Sequence, residues 1–320
     1  MRKILISQPI PAGCLEPYDG LFEFTVPQKP LTYEEVLAKI EDYHGYMIIN
    51  NKGDQNILNQ GKSLQAVGNL GVGYDNIDWR YATQKGVAVI NTPSTVTDAT
   101  AELTIALIIS SMRGIARCDR ELRQNIWNSP VFSDQDTELA GRTLGIWGFG
   151  RIGKRVCVKA RGLGMKVIYY DQYRAAEEVE KEYGVTYKEL DELLAESDCI
   201  TLHMPYTPEN YHLVTADTFK KMKTRAYLVN AARGPVVDEE ALADALIHGE
   251  IKGAGLDVYE HEPTVNPRIL VLDNVTLTPH VASCTLQTRI DMCNEALRGI
   301  TDILSGKVPY NLVNPEVIKK

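Results

Sequence analysis

The sequence predicts an α/β fold of two doubly wound parallel-sheet domains, and three observations carry that prediction. Short apolar runs alternate with helix-like segments along nearly the whole chain, the pattern of strands joined by crossover helices. The 320 residues are long for one domain and comfortable for two, and a hydrophobic share of 44% leaves enough for a core in each. A glycine-rich turn, Gly148-Phe149-Gly150-Arg151-Ile152-Gly153, stands mid-chain, with a run of strands and helices ahead of it.

Taken in order, the first unit is expected to place strands at Lys3 to Ser7, Gly45 to Asn50, Leu64 to Leu70 and Val87 to Asn91, with polar or helical stretches between them. A long helix begins near Asp98, runs through ATAELTIALIISSM and is expected to cross from the first domain into the second. The second sheet is expected to use 143–147, 166–170, 198–202, 226–230, 252–256 and 275–278. After residue 288, RIDMCNEALRGITDILSG reads as an amphipathic helix with enough length to return to the first domain. The expected domains are therefore a discontinuous one, 1–99 plus 289–320, and a continuous one, 100–288. There is no internal repeat and no low-complexity segment.

Composition excludes several classes of function. A net charge of -8 with no dense Lys/Arg run argues against a nucleic-acid surface, so a small anionic ligand would need local positive charge. The six cysteines form no CxxC pair and no metal-ligand spacing, so no metal is expected. The start MRKILISQPIPAG has too short an apolar run for a signal peptide, and no segment approaches membrane-spanning length. A reducing cytoplasm is the expected location.

The glycine turn lies between a short apolar strand, TLGIW, and a helix-forming segment that ends at Gly162. Gly148 permits the tight turn, Gly150 lets a pyrophosphate approach the backbone, and Gly153 lets helix pack on strand. The phosphates then sit at a helix N-terminus. A second apolar run, Lys166-Val167-Ile168-Tyr169-Tyr170, ends at Asp171, where an acid accepts hydrogen bonds from the adenosine ribose and repels a 2′-phosphate. NAD is thus expected over NADP, with Arg174 close enough to soften that preference.

Three charged residues follow short apolar runs in the last third of the chain: Arg233 in NAARGPVVDE, Glu262 in LDVYEHEP and His280 in LTPHVAS. The carboxyl ends of strands are where an open α/β sheet presents its chemistry. Arginine can hold a carboxylate with two parallel hydrogen bonds, and a histidine beside a glutamate can deliver a proton near neutral pH. Together they suit reduction of a 2-oxo acid. In YEHEP, Glu260 and His261 compete with Glu262 for the histidine's partner, and spacing to the proline favours Glu262.

With these motifs in place, the chain resembles the D-isomer-specific 2-hydroxyacid dehydrogenase family. The resemblance runs through NLGVGYDNID, NTPSTVTDATAEL, GIWGFGRIGKR, TLHMPYTPEN, NAARGPVVDEEALADAL, GAGLDVYEHEP and VTLTPHVASCT. It implies a homodimer, each chain with a flavodoxin-like substrate domain and a Rossmann NAD-binding domain and with its active site in the cleft between them. It places the catalytic arginine, glutamate and histidine on Arg233, Glu262 and His280. Cofactor contacts fall on Arg151, Ile152, Asp171, Met204, Pro205, Asn210, Ala231, Ala232 and Asp257, and the backbone loop that holds the substrate carboxylate on Gly71, Val72 and Gly73. Arg123 and Trp127 resemble the segment by which the family forms its dimer.

Within the family, TPSTVTDATAEL is more similar to the glyoxylate and hydroxypyruvate reductase branch than to the D-lactate dehydrogenase branch. Val72-Gly73 stand where phosphonate dehydrogenase-like members carry a lysine, and Ala282 where many relatives have glycine. Lys52, in the loop after the second strand, either reads a second anionic group on the substrate or is a solvated lysine on a turn. The expected activity is NAD-dependent reduction of a small, glyoxylate- or hydroxypyruvate-like 2-oxo acid to the D-2-hydroxy acid. The alternatives are another oxo acid (pyruvate, branched-chain, 2-ketogluconate or 3-phosphoglycerate) and a NAD-sensing binding protein without turnover.

Overall fold

The computed structural model describes residues 1–130 and 136–318. The chain divides into two compact units, Met1–Val96 with Ser283–Lys320, and Thr97–Ala282.

The first unit is built on five parallel strands: β1 (Arg2–Ile6), β2 (Phe22–Thr25), β3 (Gly45–Ile48), β4 (Ala66–Asn69) and β5 (Ala88–Ile90). Their order, β2-β1-β3-β4-β5, is the flavodoxin-like one. Every residue of β3, β4 and β5 is buried, as strands covered on both faces must be, and this is why they read as short continuous apolar runs. The edge strand β2 went unpredicted. Its sequence FEFT carries a charge, and none of its residues is fully buried.

The second unit holds seven parallel strands: β6 (Thr143–Trp147), β7 (Lys166–Tyr170), β8 (Thr186–Tyr187), β9 (Cys199–Leu202), β10 (Tyr227–Asn230), β11 (Gly253–Leu256) and β12 (Val275–Leu277). The order β12-β11-β10-β9-β6-β7-β8 is that of a Rossmann sheet with one further strand at its β12 edge. Six of the seven lie within a residue of the expected spans. The other, β8, is two residues long and too short to leave a pattern.

Two expectations about the crossings are corrected. The helix Thr97–Met112 does not pass between domains but lies wholly in the second unit, where Ala101, Leu107, Ile108 and Met112 are buried in its core. The second crossing falls between Ala282 and Ser283 and not after residue 288. Thr285, accepting from the Thr288 amide, caps the helix Leu286–Leu304, whose Cys293, Ala296, Leu297 and Ile300 pack with Ile4, Met47 and Ala88 of the first sheet. Among the described residues no single helix is long and apolar enough to cross a membrane. The bent pair Thr97–Met112 and Ile115–Arg123 has the length and composition, but its first helix is spent on the core.

Candidate active site

Because all seven strands of the second unit run the same way, the turns that follow them gather at one edge of the sheet. The order reverses at β6, which lies between β7 and β9, and such a reversal leaves a crevice where ligands bind in open α/β sheets. The turn after β6 is the glycine turn.

Gly148 has φ +101°, and a Cβ on it would meet the backbone of His203 and Met204 at 2.7–2.9 Å. A Cβ on Gly153 would overlap the Gly148 carbonyl. Gly150 instead faces open space and starts the helix Arg151–Gly162 without any side-chain cap. The amides of that first turn are therefore left for an anion, which suits a pyrophosphate at the helix N-terminus. Arg151 is exposed and Ile152 half-buried on the same turn. At the end of β7, Asp171 accepts the Phe149 amide at 2.7 Å and the Tyr173 amide at 2.9 Å, tying the end of that strand to the glycine turn. These residues fit a dinucleotide.

After β9 come Met204 and Pro205, and Asn210 holds their loop, donating to the Pro205 carbonyl at 2.6 Å and accepting from the Thr207 amide at 2.7 Å. His203, not singled out by the sequence, bonds Thr201 Oγ1 at 3.0 Å, and burial pushes its imidazole down to about 3, so it is a neutral packing group. After β10 the Ala231-Ala232-Arg233 turn is clamped by the buried Asn230, which accepts the Ala232 amide at 3.0 Å and donates to the Arg233 carbonyl at 2.9 Å.

Gly234 decides how the next two loops meet. A Cβ there would overlap the Tyr259 carbonyl and the Glu260 amide, so only glycine lets the arginine turn close against the glutamate loop. Arg233 consequently lies close enough to Glu262 to influence its charge.

Glu262 and His280 are brought together, with His280 Nδ1 2.7 Å from Glu262 Oε2. The other carboxylate oxygen of Glu262 accepts the Tyr259 amide at 3.1 Å. Both side chains stay partly open, at 36% and 48% exposure. Burial by itself would push the Glu262 carboxyl up, but the His280 hydrogen bond and charge, the Tyr259 amide and Arg233 outweigh it and hold the group below the usual range. Glu262 is thus a fixed negative charge beside the ring. Of its competitors, Glu260 is taken by Tyr211 and His212, each at 2.8 Å, and His261 is exposed.

The histidine loop is organised from below by Asp257, which is fully buried. Its carboxylate accepts Thr278 Oγ1 at 2.6 Å and the amides of Val281 and Ala282 at 2.8 and 2.9 Å, while its carbonyl accepts the His280 amide at 2.8 Å. His280 itself sits at φ +52°, a conformation that a non-glycine residue keeps only where its surroundings over-determine it. Glu239 was also missed: a buried acid, it accepts the Glu260 amide at 2.8 Å and so fixes the start of the glutamate loop.

In the first unit, the loop after β4 has all three of its carbonyls engaged. That of Gly71 accepts the Thr92 amide at 2.9 Å, that of Val72 the Asn91 side chain at 2.8 Å and that of Gly73 the Asn69 side chain at 2.5 Å. Among the described residues none accepts from the amides of Gly71, Val72 or Gly73. A row of tethered carbonyls with unspent amides makes a cradle for an anion. Lys52, in the loop after β3, is exposed.

Comparison with known proteins follows the same lines. The model of the D-isomer specific 2-hydroxyacid dehydrogenase NAD-binding domain matches residues 105–282, more than half of the chain. The chain belongs to the D-isomer-specific 2-hydroxyacid dehydrogenase family. It is similar to the glyoxylate reductase of Pyrococcus furiosus, 38% identical over 325 residues that cover 99% of this chain and 96% of that one. Among solved structures it is similar to an NADPH-dependent glyoxylate/hydroxypyruvate reductase of Sinorhizobium meliloti in complex with NADP and malonate, at TM-score 0.84, 30% identity and coverage of 99% and 97%. It is likewise similar to a D-lactate dehydrogenase of Aquifex aeolicus complexed with NAD and lactic acid, at TM-score 0.83, 28% identity and coverage of 98% and 99%. As a member of this dehydrogenase family the chain is an oxidoreductase with a nicotinamide-dinucleotide domain, and relatives use either NAD or NADPH.

Proposed function

We propose that this dehydrogenase reduces glyoxylate and similarly small 2-oxo acids to the D-2-hydroxy acid with NADH. The observation that carries the chemistry is the 2.7 Å contact between His280 and Glu262 beside the Arg233 turn. Glyoxylate is favoured by the full-length similarity to proteins named glyoxylate reductase.

Arg233 clamps the substrate carboxylate and polarises the adjacent carbonyl, because its guanidinium stays charged and cannot usefully donate a proton. When bound, the nicotinamide supplies the hydride. His280 gives a proton to the carbonyl oxygen as negative charge develops there, and in the oxidative direction the neutral ring takes it back. Glu262 fixes the ring's orientation through the contact at Nδ1. The amides of Gly71, Val72 and Gly73 are assigned to the substrate carboxylate. Arg151, Ile152, Asp171, Met204, Pro205, Asn210, Ala231, Ala232 and Asp257 are assigned to the dinucleotide. NADH is preferred over NADPH because the Asp171 carboxylate and a 2′-phosphate repel one another. The cell compartment proposed is the cytoplasm, and the assembly a homodimer through the segment around Trp127.

A panel of 2-oxo acids assayed for NADH consumption, covering glyoxylate, hydroxypyruvate, pyruvate and branched-chain, aromatic and sugar-acid analogues, tests the substrate. Glyoxylate or hydroxypyruvate is expected to give the highest kcat/KM. A clear preference for a branched or aromatic acid would remove the small-substrate reading.

A further inference from the structure

We propose that Glu180 sets the choice between the two dinucleotides by holding Arg174 out of reach of a 2′-phosphate. The proposal rests on the dinucleotide reading of the second unit and deepens it.

An arginine close to the ribose-binding acid is the usual means of accommodating the extra phosphate of NADPH. Arg174 follows Asp171 in the loop after β7 and is placed in the sequence for that task. Its guanidinium is engaged elsewhere. Nε and Nη2 donate to Glu180 Oε1 and Oε2 at 2.9 and 3.1 Å, a two-point pair, and the group lies over the Tyr187 ring at 5.1 Å.

What distinguishes this pair from an ordinary surface one is that the acid is fixed. The Glu180 side chain is only 13% exposed, and Tyr169 Oη donates to its Oε1 at 2.7 Å. The hydrogen bonds from Arg174 and Tyr169 hold its carboxyl below the ordinary range, so it stays charged. The same Tyr169 oxygen accepts the Ala175 amide at 3.0 Å, which anchors the end of the Asp171–Ala175 loop to the same point. A 2′-phosphate arriving at Asp171 therefore meets a carboxylate and an arginine already neutralised by a second carboxylate. Removing the charge on Glu180 while keeping its shape releases Arg174, whose long side chain is 57% exposed and can turn toward the phosphate.

The test is equilibrium binding, with NADH and NADPH each titrated by fluorescence against the full chain, Glu180→Gln, Arg174→Ala and the double variant. Gln keeps an acceptor for Tyr169, and retained NADH affinity reports an intact site. Glu180→Gln is expected to tighten NADPH about tenfold, with NADH changed by less than about twofold and the gain shrinking at high salt. Arg174→Ala alone should leave NADPH affinity unchanged, because the arginine is not serving the phosphate in the parent, and in the double variant the gain should vanish. If NADPH weakens in Arg174→Ala, or fails to tighten in a Glu180→Gln that still binds NADH, the proposal is overturned. A parent chain that binds neither dinucleotide would instead overturn the cofactor reading itself.

Discussion

At the residue scale, the proposed chemistry depends on one proton donor, His280, and one glycine, Gly234. His280→Ala should lower kcat for oxo-acid reduction by about two to four orders of magnitude, the range for a positioned acid, while NADH affinity stays close to the parent's. Glu262→Gln preserves the shape of the 2.7 Å contact but removes the charge. Because Glu262 is held below the usual carboxylate range, it stays ionised, and the substitution removes the charged oxygen that orients the ring through Nδ1. Reductive kcat should then fall by about tenfold or more, less than in His280→Ala, with NADH affinity retained, and a Glu262→Gln variant that keeps the parent's kcat would take Glu262 out of the mechanism. Gly234→Ala tests the close approach. Its Cβ would strike backbone atoms that cannot rotate aside, so a stability loss of about 1–3 kcal/mol with a fall in kcat is expected from denaturant melts and kinetics. Arg233, Glu262 and His280 can be proposed from the sequence because charged residues just past apolar runs mark strand ends. Gly234 was visible only as part of a Gly-Pro turn, since the chain it must clear comes 25 positions later.

At the element scale, strands and loops differ in how much the sequence tells. The strands β3 to β7 and β9 to β12 were placed within a residue or two, and the inner ones among them because a strand covered on both faces must be a short apolar run. The loops that aim the site are built on pairings between distant polar residues. Asn230, Glu239 and the Asn69 and Asn91 amides carry no local pattern that reveals their partners. Glu239 gives this a measurable form. Burial raises its carboxyl above the ordinary value, against the opposing pull of the Glu260 amide. An acid whose folded value lies above its unfolded one contributes fully to stability below the unfolded value, and that contribution is lost as pH rises through the folded one. Glu239→Gln keeps an acceptor for the Glu260 amide and removes the buried charge, so its Tm relative to the parent should increase as pH rises across that window, with kcat nearly unchanged. Glu239→Ala leaves the amide unpaired and should lower kcat. Equal damage from both variants would mean that the acceptor Glu239 offers to the Glu260 amide is not what matters.

At the scale of the whole molecule, the second unit exposes an apolar surface that a single chain does not cover. Ile115, Leu122 and Ile126 are each about half exposed and Trp127 is 84% exposed, all within one helix and the turn that follows it. Arg123, in the same segment, is paired with Asp119 one turn earlier at 2.8 Å. An exposed tryptophan in the same short segment as three exposed aliphatic side chains has the composition of an interface core, where aromatic anchors contribute most of the binding energy. Light scattering should therefore report a mass of two chains, independent of concentration over the micromolar range. Trp127→Glu places a charge on the most exposed apolar residue of that segment, where an interface would have to desolvate it without a partner, and should shift the mass toward one chain. Circular dichroism of that variant should match the parent, because Trp127 contributes nothing to the unit's own core. A parent that is monomeric at every concentration, or a Trp127→Glu variant that remains a dimer, would move the interface away from this segment.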